Sequence, residues 1–164
     1  MSTTSILCQL NGGCMGCCGH DFISKGMIKE AIEINTAEFK EIDPTQKIEL
    51  IKFRDRKSAY DLRHGVCRNL IKNGEQVLCP LHPALNNGKD LRINHCELNY
   101  MCFTAKVFET WKKIKQDQFL DFIASQKLDH LSYSMKMVDD ILINEFYEFP
   151  NRKKKEEESN SNLQ

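Results

Sequence analysis

Apolar positions recur at helical spacing in five stretches of the chain, separated by segments rich in glycine, proline and asparagine. From Ser24, a side chain suited to capping a helix, the run Met27, Ile28, Ala31, Ile32, Phe39 and Ile42 predicts a helix whose periodicity weakens near Asn35. Asp43-Pro44 ends it and opens a second, with Ile48, Leu50, Ile51 and Phe53, after which Arg54-Asp55-Arg56-Lys57 leads toward Tyr60 to Gly65. Cys67-Arg68-Asn69-Leu70-Ile71 and Gln76-Val77-Leu78-Cys79 flank the turn-forming Lys72-Asn73-Gly74-Glu75. That arrangement predicts one small hairpin with a cysteine near each far end. Pro80, Pro83 and Asn86-Asn87-Gly88 predict irregular chain to about Asn94. Three helices follow: one with Tyr100, Phe103, Val107 and Trp111, one with Phe119, Phe122 and Ile123, and one with Leu131, Met135, Val138, Leu142 and Phe146.

These stripes read as core, because short amphipathic helices need one another to bury an apolar face. The expected fold is mainly α: a helical domain with a cysteine-rich loop and a small hairpin forming a metal module. A single domain would span 1–149, with a cysteine-rich part over 8–103 and a helical part over 104–149. The tail over 150–164 holds too little to bury and is expected to be disordered.

The chain has 164 residues, 41% of them hydrophobic, enough for a modest core without help from a metal. Lysine plus arginine equals aspartate plus glutamate, 23 each, so no field of one sign draws in a nucleic acid. The Lys153 to Lys155 run is neutralised by the three glutamates after it and reads as part of a solubilising tail. No stretch approaches twenty apolar residues and no secretory leader is evident, so neither a membrane nor export is expected, and the cytoplasm is. Hydrolase and phosphate-binding motifs of the Gly-x-Ser-x-Gly, glycine-loop and His-Glu-x-x-His types are missing from the sequence.

Chemistry concentrates in eight cysteines: Cys8, Cys14, Cys17 and Cys18 near the start, Cys67, Cys79, Cys96 and Cys102 in the middle, and none in the last third. Under reducing conditions, clustered thiols read as metal ligands or redox groups rather than disulfides. Cys14-Met15-Gly16-Cys17 has the spacing that places two sulfurs on one ion, and the glycines around it let amides turn toward sulfur. Adjacent cysteines grip one ion poorly in tetrahedral geometry. Cys17 and Cys18 therefore serve two metal centres, or one of them bridges or stays free. Cys102, six residues after Cys96 in a predicted helix, points to another face and reads as a small core residue. His20, His82 and His95 adjoin cysteines and could serve as alternate or supporting ligands, but each taken singly reads as a surface or capping histidine, and His64 and His130 receive no role.

Two stretches carry a family resemblance. Cys14-Met15-Gly16-Cys17-Cys18, with Cys8 before it, is similar to the compact cysteine run of the YkgJ-type cysteine-cluster family, described as zinc- or iron-chelating domains. Cys67-Arg68-Asn69-Leu70, Asn73-Gly74-Glu75 and Cys79-Pro80-Leu81-His82-Pro83 resemble that family's later segment, with Cys96 as its last cysteine. His82 stands where the family has arginine, and the spacer to Cys96 is long. The resemblance covers roughly 8 to 103 and implies metal chelation. Some members resemble the iron–sulfur part of flagellin lysine methylases, but those enzymes are much longer and their activity is not carried over.

The expected function is binding of zinc or iron, the iron also as an iron–sulfur cluster, through Cys14, Cys17, Cys18, Cys67, Cys79 and Cys96, with Cys8 as a further ligand. Zinc would be structural, and a cluster would transfer electrons or sense oxidants. The metal ion is the only partner the sequence specifies. Two alternatives stand beside this: a thiol–disulfide redox enzyme in which Cys14 attacks and Cys17 resolves, and an adaptor whose metal props up the fold while the helical third docks a partner.

Overall fold

The computed structural model describes residues 5–150, a mainly helical arrangement with two small antiparallel hairpins. The tail after Pro150 lies outside the described residues. A 3-10 segment, Ile6–Gly12, comes first, and the Ser5 hydroxyl holds its start by accepting from the Leu7 amide and donating to Glu109 at 2.7 Å. Cys8 therefore sits on a helical turn, and irregular chain follows from Gly13.

Helix α1, Lys25–Lys40, begins where expected, with the Ser24 side chain accepting from the Met27 amide. Its periodicity weakens at Asn35 because this buried amide faces the core for a polar reason. Its Nδ2 donates to the Cys67 and Leu70 carbonyls, at 3.0 Å each. At the next residue, Thr36 Oγ1 accepts from the Lys72 amide at 2.9 Å. Helix α2 is Lys47–Asp55, and its Phe53 meets Phe39 of α1 edge to face, with ring centroids 5.1 Å apart.

Two hairpins replace the single one expected. Strand β1, Leu62–Arg63, pairs with β2, Val66–Cys67, across a turn at His64 and Gly65, both with positive φ. Strand β3, Ile71–Asn73, pairs with β4, Gln76–Leu78. Cys79 adjoins the second hairpin, but Cys67 belongs to the first. The polar Arg68 and Asn69, tied down by neighbouring side chains, break the run between them. The chain from Cys79 to Met101 is irregular apart from a 3-10 turn, Pro83–Leu85, capped by His82.

Helix α3, Phe103–Glu109, is shorter than its apolar stripe suggested. Tyr100 and Phe103, expected in the core, are 47% and 59% exposed. Cys96 and Cys102 do not share a helix: Cys102 is the residue that opens α3, and Cys96 lies in a turn before it. Helix α4 is Lys113–Ser125 and α5 is His130–Val138, with the Asp129 carboxylate capping α5 through the Ser132 amide at 2.8 Å. The last predicted helix is two helices, because Asp140 takes φ 55 and starts a further helix, α6, over 141–150. The bend lets Met137 on one arm and Leu142 and Ile143 on the other enter the same core cluster.

That cluster also holds Phe108, Phe119 and Ile123, and Leu7 from the N-terminal segment. A second cluster joins Ile28 and Ile32 of α1 to Val66, Leu70, Val77 and Leu131, and a third is Leu50, Leu81 and Leu91. No helix among the described residues is long and apolar enough to cross a membrane.

Candidate functional site

The Cys14 to Cys18 turn is pinned from below by α5. Met15 is buried in the second cluster and its amide donates to Ser134 Oγ at 3.0 Å, so the side chain between the cysteines serves as an anchor. The Cys18 amide closes the turn on the Met15 carbonyl at 2.8 Å, and the Gly16 amide points at Cys14 Sγ at 3.4 Å. Cys8 is tied to the same turn, because its carbonyl accepts from the Cys14 amide at 2.9 Å. Gly13 (φ +102) permits the tight approach to β4, where an added Cβ would stand 2.8 Å from the Val77 carbonyl oxygen.

The turn then runs alongside the first hairpin. The Cys67 amide donates to the Cys18 carbonyl at 2.7 Å, the His20 amide to Gly65 at 3.0 Å, and Gly19 bridges to Val66. Gly19 is required by contact: a Cβ there would drive into the Gly65 carbonyl. Residues 17 to 19 and 65 to 67, distant in sequence, thus share backbone hydrogen bonds. From the other side, Asn35 holds the Cys67 and Leu70 carbonyls. Arg56 stacks 3.7 Å from the Phe53 ring centre and donates to Asn69 and to the Arg68 carbonyl. The Cys79 end is fixed by the Leu91 amide, which donates to Leu81 at 3.1 Å and brings Arg92 alongside.

Electrostatics report which thiols are neighbours. Burial is the largest influence on Cys8, pushed up to about 11, and the Cys17 and Cys102 thiolates add to it. Burial pushes Cys14 to about 12, with Cys17, Cys8 and Cys102 reinforcing the rise. Cys79 is also raised to about 12 by burial, against the Leu81 amide, with Cys67 and Cys96 adding to it. Cys67, Cys96 and Cys102 are raised too, burial first in each case. The adjacent pair behaves differently. The thiol hydrogen bond between Cys17 and Cys18 pulls Cys17 down to about 7, with help from Arg92, and holds Cys18 well above its ordinary value. Cys17 is the exposed member and the other seven cysteines are partly covered.

Cys14, Cys17 and Cys18 lie on one pinned turn, Cys8 on the 3-10 segment is tied to it through its carbonyl, Cys67 is bonded to it through the backbone, and Cys79 and Cys96 feel the Cys67 thiolate. As the side chains stand, no three His, Cys, Asp or Glu residues among the described residues form a group that could hold a metal ion. The histidines are otherwise engaged. His82 Nδ1 accepts from the Ala84 amide at 3.1 Å, His95 lies 3.0 Å from Asp55, and His20 lies 3.2 Å from Asp21. Sequence reasoning gave Arg92 no role and saw in Asn35 only a weakened periodicity; Cys102, read there as a small core residue, packs against the first core cluster.

One large concavity lies elsewhere, a groove of about 840 Å³ between α4 and α6 lined by Ile114, Phe122, Phe146 and Tyr147, with no cysteine or histidine at its walls. Compared with models of known families, with curated proteins and with solved structures, the chain matches none.

Proposed function

We propose that this protein binds zinc or iron, the iron also as an iron–sulfur cluster, through Cys14, Cys17, Cys18, Cys67, Cys79 and Cys96, with Cys8 as a further ligand. The observation that carries the reading is the backbone junction between the Cys14 to Cys18 turn and the Cys67 hairpin: Cys67 N–H to Cys18 C=O at 2.7 Å, and the Gly19–Val66 bridge. It sets Cys18 and Cys67, from two distant segments, on a common backbone scaffold. Soft sulfur donors suit zinc and iron–sulfur clusters, and amides aimed at Cys14, Cys67 and Cys79 stabilise thiolate charge. The resemblance to the YkgJ-type cysteine-cluster proteins agrees with the same donor set.

Purification without oxygen, followed by elemental analysis and an optical spectrum, tests the proposal. Bound zinc in a colourless protein, or iron with sulfide absorption, is the expected result. Metal-free protein that takes up neither metal would overturn it.

A second reading rests on Cys17. Its exposure and its ionisation near neutral pH suit attack on a partner's disulfide, giving a mixed disulfide that Cys14 then resolves, the reverse of the order expected from the sequence. Two protein thiols are oxidised to a disulfide and the partner's disulfide is reduced to two thiols. Of this pair Cys17 is the readily ionised sulfur, while Cys14 is held protonated by burial. Metal-free protein with fast thiol exchange is the outcome that would favour it.

A further inference from the structure

We infer that the groove between α4 and α6 binds one long-chain carboxylate, with the acyl chain along its aromatic floor and the carboxylate held by Lys112 and Lys115. The inference stands apart from the metal-binding reading, since no cysteine lines the groove.

The floor is a continuous aromatic surface. Phe122 of α4 is buried and meets Phe146 and Phe149 of α6 with ring centroids 5.6 and 5.5 Å apart. At the walls, Ile114 is 75% exposed and Tyr147 50%. Apolar side chains exposed singly need no explanation, but these line one concavity of about 840 Å³, a volume in the range of small-ligand sites. A bilayer surface asks for a protruding apolar face. This one is recessed between two helices, a shape that takes a narrow chain.

Charge along the groove has a direction. Lys112 and Lys115 stand at the start of α4, where no side chain among the described residues caps the helix and its first turn carries no carboxylate. Lys115 is half-buried. Its ammonium lies 4.2 Å from the Trp111 ring centre, 4.7 Å from the Tyr147 ring centre and 3.5 Å from the Tyr147 hydroxyl, so rings at the groove wall hold it in place. One of its three N–H donors goes to that hydroxyl, and the ammonium keeps donors to offer a carboxylate. The one carboxylate among the lining residues, Asp121, sits on the exposed rim about 9 Å further along the helix axis than Lys115. It repels an anion there, which sets the ligand's headgroup toward Lys112 and Lys115 and its tail toward Phe122 and Phe149.

Trp111 is the single tryptophan of the chain and lies against Phe146 and Tyr147, with ring centroids 5.6 and 6.0 Å apart, so its fluorescence reports on this groove. The test is a titration of the full chain with dodecanoate below its micelle-forming concentration, following Trp111 emission and, separately, bound dodecanoate by equilibrium dialysis. Saturation at one equivalent is expected. Dodecyltrimethylammonium, with the same chain and the opposite charge, is expected to bind at least about tenfold more weakly, and the double variant Lys112→Gln, Lys115→Gln to lose at least about tenfold in dodecanoate affinity. Ile114→Glu places a carboxylate at the groove mouth and is expected to abolish saturable binding. Ile114 is exposed enough for that variant to keep the fold, so dialysis with it decides the matter even where the lysine variants disturb Trp111. Absence of saturable dodecanoate uptake by the wild type overturns the inference, whether the chain instead gathers on phosphatidylglycerol vesicles or pairs with a second copy. Equal affinity for the two amphiphiles, or unchanged uptake by Ile114→Glu, overturns it as well.

Discussion

Asp129 caps α5 with a carboxylate that the Ser132 amide holds down to about 2, from an ordinary 3.8. Its folded-state pKa is depressed, so the stability it contributes is complete above about pH 4 and is lost as pH falls from 3.8 through 2. Asp129→Ala is expected to cost about 1 kcal/mol in urea unfolding at pH 7. Asp129→Asn keeps the cap but should lose this acid dependence. Asn35 has the opposite character, buried and donating to two carbonyls. Asn35→Leu leaves both acceptors unpaired and is expected to cost roughly 2–4 kcal/mol by the same measurement. The thiols add an alkaline limit. Cys8, Cys14 and Cys79 are raised from 9.0 to about 11, 12 and 12. The fold therefore keeps protons that the unfolded chain would release. Metal-free protein should hold full stability below pH 9 and lose it progressively as pH rises toward 12, as followed by thermal unfolding across that range.

Among the elements, the junction between the Cys14 to Cys18 turn and β2 is the one on which the proposed site depends. Gly19→Ala forces a methyl into the Gly65 carbonyl and must push the turn off the hairpin. It is expected to cost roughly 2 kcal/mol or more and to lower metal content per chain by elemental analysis, whereas Gly26→Ala, in the first turn of α1 with nothing nearer than 3.9 Å, should leave metal content unchanged. This junction was not legible in the sequence, because a two-residue strand such as Val66–Cys67 has no periodicity to detect, and its partner lies more than forty residues earlier. Helix α1 was legible because Ser24, Ile28 and Ile32 combine a cap with a spaced apolar face. The α5–α6 stripe misled because its apolar spacing continues through Asp139-Asp140, while the backbone there turns left-handed at Asp140. Cys102 was taken for helix interior because the stripe from Tyr100 runs past it, though the helix starts only at Phe103.

For the molecule as a whole, three small clusters share the work of a core, and the N-terminal segment crosses from the first to the second with its cysteines between them. Metal in that position would tie residues 8 to 18 to the middle of the chain. Chelation is therefore expected to loosen the N-terminal segment first, which hydrogen exchange would show as faster exchange over residues 6 to 20 than over α4. The most direct measurement of the central claim is X-ray absorption at the edge of the metal that co-purifies with the full chain. The account predicts a sulfur-only coordination sphere, about four scatterers near 2.3 Å for zinc. A sphere made of nitrogen and oxygen donors would contradict it.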